Sequence, residues 1–195
     1  LKAGASYLVI DPELPSERIE YMLRLTNCKI VLSSKTSPNI NGAKSIYLDD
    51  MDLLNTYSII NPYVSINNND TLSCVFTSGS TGRPKGILIK QLSMINLVNC
   101  YKKYMHIDSY DNFLSSCSVS FDMFAVEMFM PLLTGKTIIL ANYEEHKIPI
   151  SMSNLILKHK VDFMLMTPSK FKLLLLSEDT RKCLSCIKSI QLGGE

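Results

Sequence analysis

Apolar residues run along this chain in short blocks separated by polar, glycine-bearing or proline-bearing stretches. Residues 29–32, 45–48, 72–76, 86–90, 113–116, 137–140, 162–166 and 187–192 have the length and composition of strands. Helical spacing appears between them. Ile19, Met22 and Leu23 share one face of a helix that Ser16 would cap and that runs to about Thr26. Residues 92–105 predict a second helix, with Leu92, Ile95 and Val98 toward one side. Residues 122–133 predict a third, headed by Asp122 as a candidate N-cap; its apolar residues occur all round, which predicts deep burial. Residues 151–158 predict another helix, and Pro168 opens a further one to Leu176. Residues 33–42 and 61–70 are polar connections, the second with three consecutive asparagines. Strands alternating with helices predict an α/β chain whose sheets contain parallel pairs.

One connection carries candidate chemistry. Thr77-Ser78-Gly79-Ser80-Thr81-Gly82-Arg83-Pro84-Lys85-Gly86 joins the apolar runs 72–76 and 86–90. Glycines allow close backbone approach and positive φ. Successive backbone N–H groups form an anion-binding concavity, hydroxyls add donors, and Arg83 and Lys85 add charge. The pattern suits a polyphosphate. A Walker A loop is excluded, because no glycine directly precedes Lys85 and Gly86 stands where Ser or Thr is required. A Rossmann glycine fingerprint is absent as well. The flanks predict strand–loop–strand, without a helix dipole aimed at the phosphates.

Composition narrows the classes. Hydrophobic residues make up 46% of 195 residues, which allows a sizeable core. A formal net charge of +2 is too small to imply nucleic acid or an anionic membrane surface. Residues 123–140 are apolar, yet Glu127, Gly135 and Lys136 interrupt them, so they predict a helix, a turn and a strand rather than a membrane span. Lys102-Lys103 and Glu144-Glu145 read as solvated surface. Six scattered cysteines, with Cys183 and Cys186 the one spaced pair, lack the histidine partners of a zinc site and fit free thiols in a reducing cytoplasm. No signal peptide is evident, and both ends read as cut, with Lys2-Ala3-Gly4 as the last turn of a helix.

The stretch Phe76 to Gly86 resembles the phosphate loop of adenylate-forming (AMP-binding) enzymes, which include acyl-CoA synthetases, luciferases and the amino-acid adenylation domains of nonribosomal peptide synthetases. Three further segments resemble the last group. Leu1-Lys2-Ala3-Gly4-Ala5-Ser6-Tyr7-Leu8-Val9-Ile10-Asp11-Pro12 is similar to a motif of amino-acid-adenylating domains, departing at Ser6, where alanine is usual, and at Val9, where proline is usual. Phe121-Asp122 with Glu127 resembles the segment that opens the amino-acid pocket. Leu192-Gly193-Gly194-Glu195 resembles the Gly-Gly-Glu bordering the adenine site. The four occur in the family's order along the whole chain, so residues 1–195 read as part of an adenylation domain's N-terminal subdomain, with mixed and parallel sheets and flanking helices.

The resemblance implies activation of an amino acid by ATP to an aminoacyl-adenylate, with release of pyrophosphate. The product would load the phosphopantetheine of a carrier domain, with carrier and condensation domains as partners and Mg²⁺ on the phosphates. Thr77, Ser78, Gly79, Ser80, Thr81, Gly82, Lys85 and Gly86 would hold phosphates, with Lys85 as the leading charge. Gly193, Gly194 and Glu195 would border adenine. Asp122 would pair with the α-ammonium group, and Met123, Val126, Leu165, Gln191 and Gly193 would line a mostly uncharged pocket. Gln91 stands where the family has a histidine. The family's Tyr-Gly-Pro-Thr-Glu stretch, ribose-binding aspartate and C-terminal lysine fall beyond residue 195, so these residues alone are expected to be inactive. The alternatives are an acyl-CoA or aryl-CoA ligase of the same superfamily and an inactive nucleotide-binding or scaffolding segment.

Overall fold

The structure, a computed structural model, describes residues 1–37, 40–77 and 84–194. The chain forms two units, Leu1–Leu92 and Ser93–Glu195.

The first unit contains β1 (Tyr7–Leu8), α1 (Ser16–Leu25), β2 (Ile30–Ser33), β3 (Lys44–Tyr47), α2 (Met51–Leu54), β4 (Thr71–Thr77) and β5 (Lys85–Lys90). Strand β4 is the centre of a three-stranded sheet, with β1 parallel on one side and β5 antiparallel on the other. Ser6, the departure from the family motif, donates its Oγ proton to the Thr71 carbonyl at 2.6 Å and ties the entry of β1 to β4. Strands β2 and β3 form a separate parallel pair. Helix α1 buries Ile19, Met22 and Leu23, the face that the spacing predicts. Ser16 is not its cap: Pro15 occupies the N-cap position and Ser16 is the first helical residue. A proline there has φ fixed near the helical value, so the chain turns into the helix one residue early.

Helix α3 (Gln91–Met105) runs across the division in sequence. It buries Met94 and Val98, an i, i+4 pair, whereas Leu92 and Ile95 are exposed. The expected face is therefore rotated.

The second unit contains β6 (Asn112–Ser115), α4 (Asp122–Thr134), β7 (Thr137–Leu140), α5 (Tyr143–Lys147), α6 (Pro149–His159), β8 (Phe163–Met166), α7 (Pro168–Leu175), α8 (Glu178–Arg181) and β9 (Ser189–Leu192). Its four strands are all parallel, in the order β7-β6-β8-β9. One face of the sheet, with Leu114, Met164 and Met166, packs on Met152, Leu155 and Ile156 of α6. On the alternate positions, Phe113 and Phe163 stack with ring centroids 4.8 Å apart. Helix α4 packs over β6 and β7, and Gly135, at φ +69°, ends it. Its burial is one-sided, contrary to its composition: Glu127, Met130 and Pro131 are buried, while Leu132 and Leu133 are 57% and 58% exposed. Glu145 is not idle surface. It closes a capping box with Asn142, each side chain accepting the other's backbone N–H at 2.8–2.9 Å.

At the amino ends of these strands, Asp162 is buried and accepts the backbone N–H groups of Asp111 and Asn112 at 3.0–3.2 Å and the Lys188 ammonium at 3.1 Å. The Lys188 and Ser189 amides in turn donate to the Asp162 carbonyl. The six cysteines are free thiols. Among the described residues, no helix is long and apolar enough to cross a membrane.

Candidate functional site

In the first unit, the alternating apolar residues of β4 and β5 form an antiparallel hairpin, as the flanks of the glycine-rich loop predict. Its open end pairs Thr77 with Lys85 in register, both exposed. The hydroxyl and the ammonium on which phosphate binding would rest thus flank the start and finish of the loop. Ser78, Gly79, Ser80, Thr81, Gly82 and Arg83 lie outside the described residues. Gly86 has a packing reason to be glycine. It sits opposite Phe76, and a Cβ on it would stand 3.1 Å from Cys74 Sγ and 3.3 Å from Phe76 Cζ.

In the second unit, the predicted pocket residues gather at the carboxyl ends of the parallel strands, where α/β sheets carry ligands. Leu165 of β8 and Gln191 of β9 are register partners, so their side chains lie side by side on one face. Leu165 is buried and Gln191 half-buried, its Nε2 donating to Ser189 Oγ at 3.3 Å. The Gly193 amide donates to the Met166 carbonyl at 3.1 Å and extends the β8–β9 ladder. Gly194 adopts φ +86°, a conformation that glycine tolerates best, and faces Met123: a Cβ there would meet Met123 Cγ at 3.9 Å and Thr167 Cγ2 at 4.0 Å. Among the described residues, nothing beyond its own chain neighbours lies within 4 Å of where a Cβ on Gly193 would be. Glu195 lies outside the described residues.

Asp122 is the first residue of α4, with Phe121 in the N-cap position; it does not cap in the usual sense. Its carboxylate accepts the Met123 N–H at 2.8 Å and is exposed. Val126, one turn further on, is half-buried on the same face. The exposed Asp122 carboxylate thus stands next in the chain to Met123, whose side chain faces Gly194. Among the described residues, no three His, Cys, Asp or Glu side chains gather to hold a metal ion.

Behind this edge lies a polar cluster that the sequence pattern does not announce. Glu127, 1% exposed, accepts the Ser115 hydroxyl at 3.0 Å and the backbone N–H groups of Ser116 and Cys117 at 2.9 and 3.0 Å. All three donors converge on Oε2, while Oε1 and the buried Ser116 Oγ have no hydrogen-bond partner among the described residues. Burial raises the Glu127 pKa against the pull of these donors. Burial and the neighbouring Glu127 carboxyl push the Cys117 thiol up to about 12. The Ser116 carbonyl accepts from Lys170 Nζ at 2.9 Å and is approached by His146 Nδ1, which lies 3.1 Å from the same ammonium. Burial lowers the pKa of both Lys170 and His146.

The chain is 35% identical over 200 residues to tyrocidine synthase 3 of Brevibacillus parabrevis, covering 100% of this chain and 3% of that protein. Among solved structures, the nonribosomal peptide synthetase FmoA3 in its AMPPNP-bound form superposes with a TM-score of 0.88 at 22% identity, covering 100% of this chain and 21% of that one. The o-succinylbenzoate CoA synthetase of Bacillus subtilis, in complex with its acyl-adenylate intermediate, superposes with a TM-score of 0.82 at 18% identity, covering 97% and 49%. At these identities the structural likeness carries the fold alone: this chain's α/β architecture, with its mixed and parallel sheets, superposes on part of each. The chain thus spans a small fraction of the curated relative it matches. The family model described as AMP-binding enzyme matches residues 1–195. With its whole length matched by that model, the chain belongs to the AMP-binding enzyme family.

Proposed function

We propose that the protein carrying this chain activates an amino acid. The substrate carboxylate attacks the α-phosphorus of ATP, and the bond to the bridging oxygen breaks. Pyrophosphate leaves, and an aminoacyl-adenylate forms. The thiol of a carrier-borne phosphopantetheine then attacks the acyl carbon, AMP departs, and the thiol proton passes to solvent. A carboxylate is already a nucleophile, so the protein's task is orientation and charge neutralisation rather than proton transfer. Lys85, with Thr77 and the loop through Gly86, neutralises the phosphates. Gly193 and Gly194 admit adenine to the backbone. Met123, Val126, Leu165 and Gln191 receive an uncharged side chain. Carrier and condensation domains are the partners.

The observation that carries this reading is the exposed Asp122 carboxylate at the first residue of α4, next in the chain to Met123, whose side chain faces Gly194. A fatty or aryl acid has no ammonium group to match it. The similarity to a named peptide synthase supports the same substrate class. The test is ATP–pyrophosphate exchange by the full-length protein with the proteinogenic amino acids, against a panel of fatty and aryl acids. Exchange with an amino acid is expected, reduced in Lys85→Ala and abolished in Asp122→Ala. Exchange with aryl or fatty acids alone would replace this reading with a CoA ligase. An unchanged amino-acid specificity constant in Asp122→Ala would remove the pocket assignment.

A further inference from the structure

The Ser116 peptide is gripped from both sides. Its N–H donates to Glu127 of α4 at 2.9 Å, and its C=O accepts from Lys170 of α7 at 2.9 Å, with His146 of α5 against the same oxygen. Three helices therefore converge on one backbone residue just past the end of β6. The residue is 4% exposed, and there the sheet ladder no longer supplies partners. Buried backbone groups outside a ladder must find partners elsewhere, and here ionisable side chains supply them. The two sides sense each other: burial depresses the Lys170 pKa, while the Cys117 and Glu127 groups pull it back up.

What this grip holds is the segment leading to Asp122. From Ser116 the chain makes a short loop, tightened by the Phe121 amide on the Ser118 carbonyl at 3.0 Å and by a 3.0 Å contact between the Ser118 and Ser120 hydroxyls. It then enters α4 at Asp122. Glu127 lies on that same helix, so its bonds to Ser115, Ser116 and Cys117 fix the helix start against the strand end. Lys170 holds the other side of the same peptide. We propose that Lys170 and Glu127 are positioning residues for the amino-acid site, acting through the Ser116 peptide to set where the Asp122 carboxylate stands. This rests on the reading of Asp122 as the partner of the α-ammonium group. Neither residue touches substrate in this role, so the effect falls on amino-acid binding and not on ATP or the chemical step.

Lys170 is the residue to change, because removing the Glu127 carboxyl would strand three donors in the interior. Lys170→Met keeps the aliphatic stem and removes the donor, and Lys170→Gln keeps a neutral, shorter donor. In full-length protein, pyrophosphate exchange is followed with whichever proteinogenic amino acid gives the highest rate. Lys170→Met is expected to raise the amino-acid KM about tenfold, which corresponds to about 1.4 kcal/mol. The ATP KM and kcat stay within about twofold, the pattern of a lost binding contribution. Lys170→Gln falls between, and supplies the reading if Lys170→Met does not accumulate as folded protein. An amino-acid KM within about twofold of wild type overturns the proposal, and so does an equal loss in both KM values or in kcat, which marks general loosening. Asp122→Ala is measured alongside. If it leaves the amino-acid KM unchanged, the pocket reading fails; if it abolishes exchange or raises the KM while the Lys170 variants keep the wild-type KM, the positioning role alone fails.

Discussion

The Asp162 carboxylate accepts the backbone N–H of Asn112 at 3.0 Å, joining the entry of β8 to the first residue of β6. The same side chain also takes the Asp111 amide and the Lys188 ammonium. Replacing it with alanine leaves two amides of the sheet entry without their acceptor. Asp162→Ala is expected to destabilise the protein by about 2–4 kcal/mol, because a buried charged acceptor is lost with its donors left behind. Lys188→Ala should cost about 1 kcal/mol or less, since its side chain is 57% exposed. Urea unfolding of the two variants beside wild type checks the order; equal effects would mean that the ion pair, not the amide cap, holds this end.

Gly86 is expected to resist even alanine. The added Cβ would crowd Cys74 Sγ and the Phe76 ring across the hairpin; Cys74 is buried and Phe76 half-buried. A loss of about 1–2 kcal/mol is expected for Gly86→Ala, the scale of overpacking. Cys74→Ala removes the nearest atom. It should destabilise wild type but restore part of the loss in the Gly86→Ala background, a coupling that a double-mutant cycle measures. Purely additive effects would show that close packing is not the reason for this glycine.

Glu127 makes stability depend on pH. Its carboxyl has a folded pKa raised above the ordinary 4.5, because burial disfavours the anion more than its three donors favour it. A raised pKa means that the folded state binds the proton more tightly. This contribution is full below 4.5 and is lost as pH rises through the raised folded value. Glu127→Gln keeps an acceptor for the Ser116 and Cys117 amides and removes the titration. The wild type should therefore lose stability relative to Glu127→Gln as pH rises above 4.5, measured by urea midpoints across a pH series. Parallel pH profiles for the two proteins would show that the group does not titrate in this way.

Much of this architecture is legible in the order of residues, and the exceptions have physical reasons. The β4–β5 hairpin announces itself because apolar runs flank a loop that no helix could follow. Strands β6 to β9 show as apolar runs, since a parallel sheet is covered on both faces. The spacing of residues 92–105 puts Leu92, Ile95 and Val98 toward one side, yet of these only Val98 is buried, together with Met94; with apolar residues on several sides, spacing alone does not choose the face. Helix α5 is too short for periodicity, though the Asn142-to-Glu145 spacing was a signal that could have revealed it. Ser16 carried a cap's chemistry one position too late. Leu165 and Gln191 are neighbours because β8 and β9 pair in register, and Met123 meets Gly194 past the end of β9. Glu127 could be recognised as an intruder in an apolar helix, but not as a buried acceptor, because its partners come from the strand end before that helix. Lys170 and His146 carry no sequence signal for the Ser116 carbonyl, which they reach from two further helices.

The division between the two ends of the four parallel strands has an evolutionary consequence. The amino ends are tied through Asp111, Asp162 and their neighbours, far along each strand from the residues proposed to meet substrate. Side chains such as Met123 and Gln191 take no part in the knot that aligns the strands. Recombination that exchanges the short segments around 116–126, 165–167 and 191–194 together would trade one side-chain preference for another while inheriting the same frame.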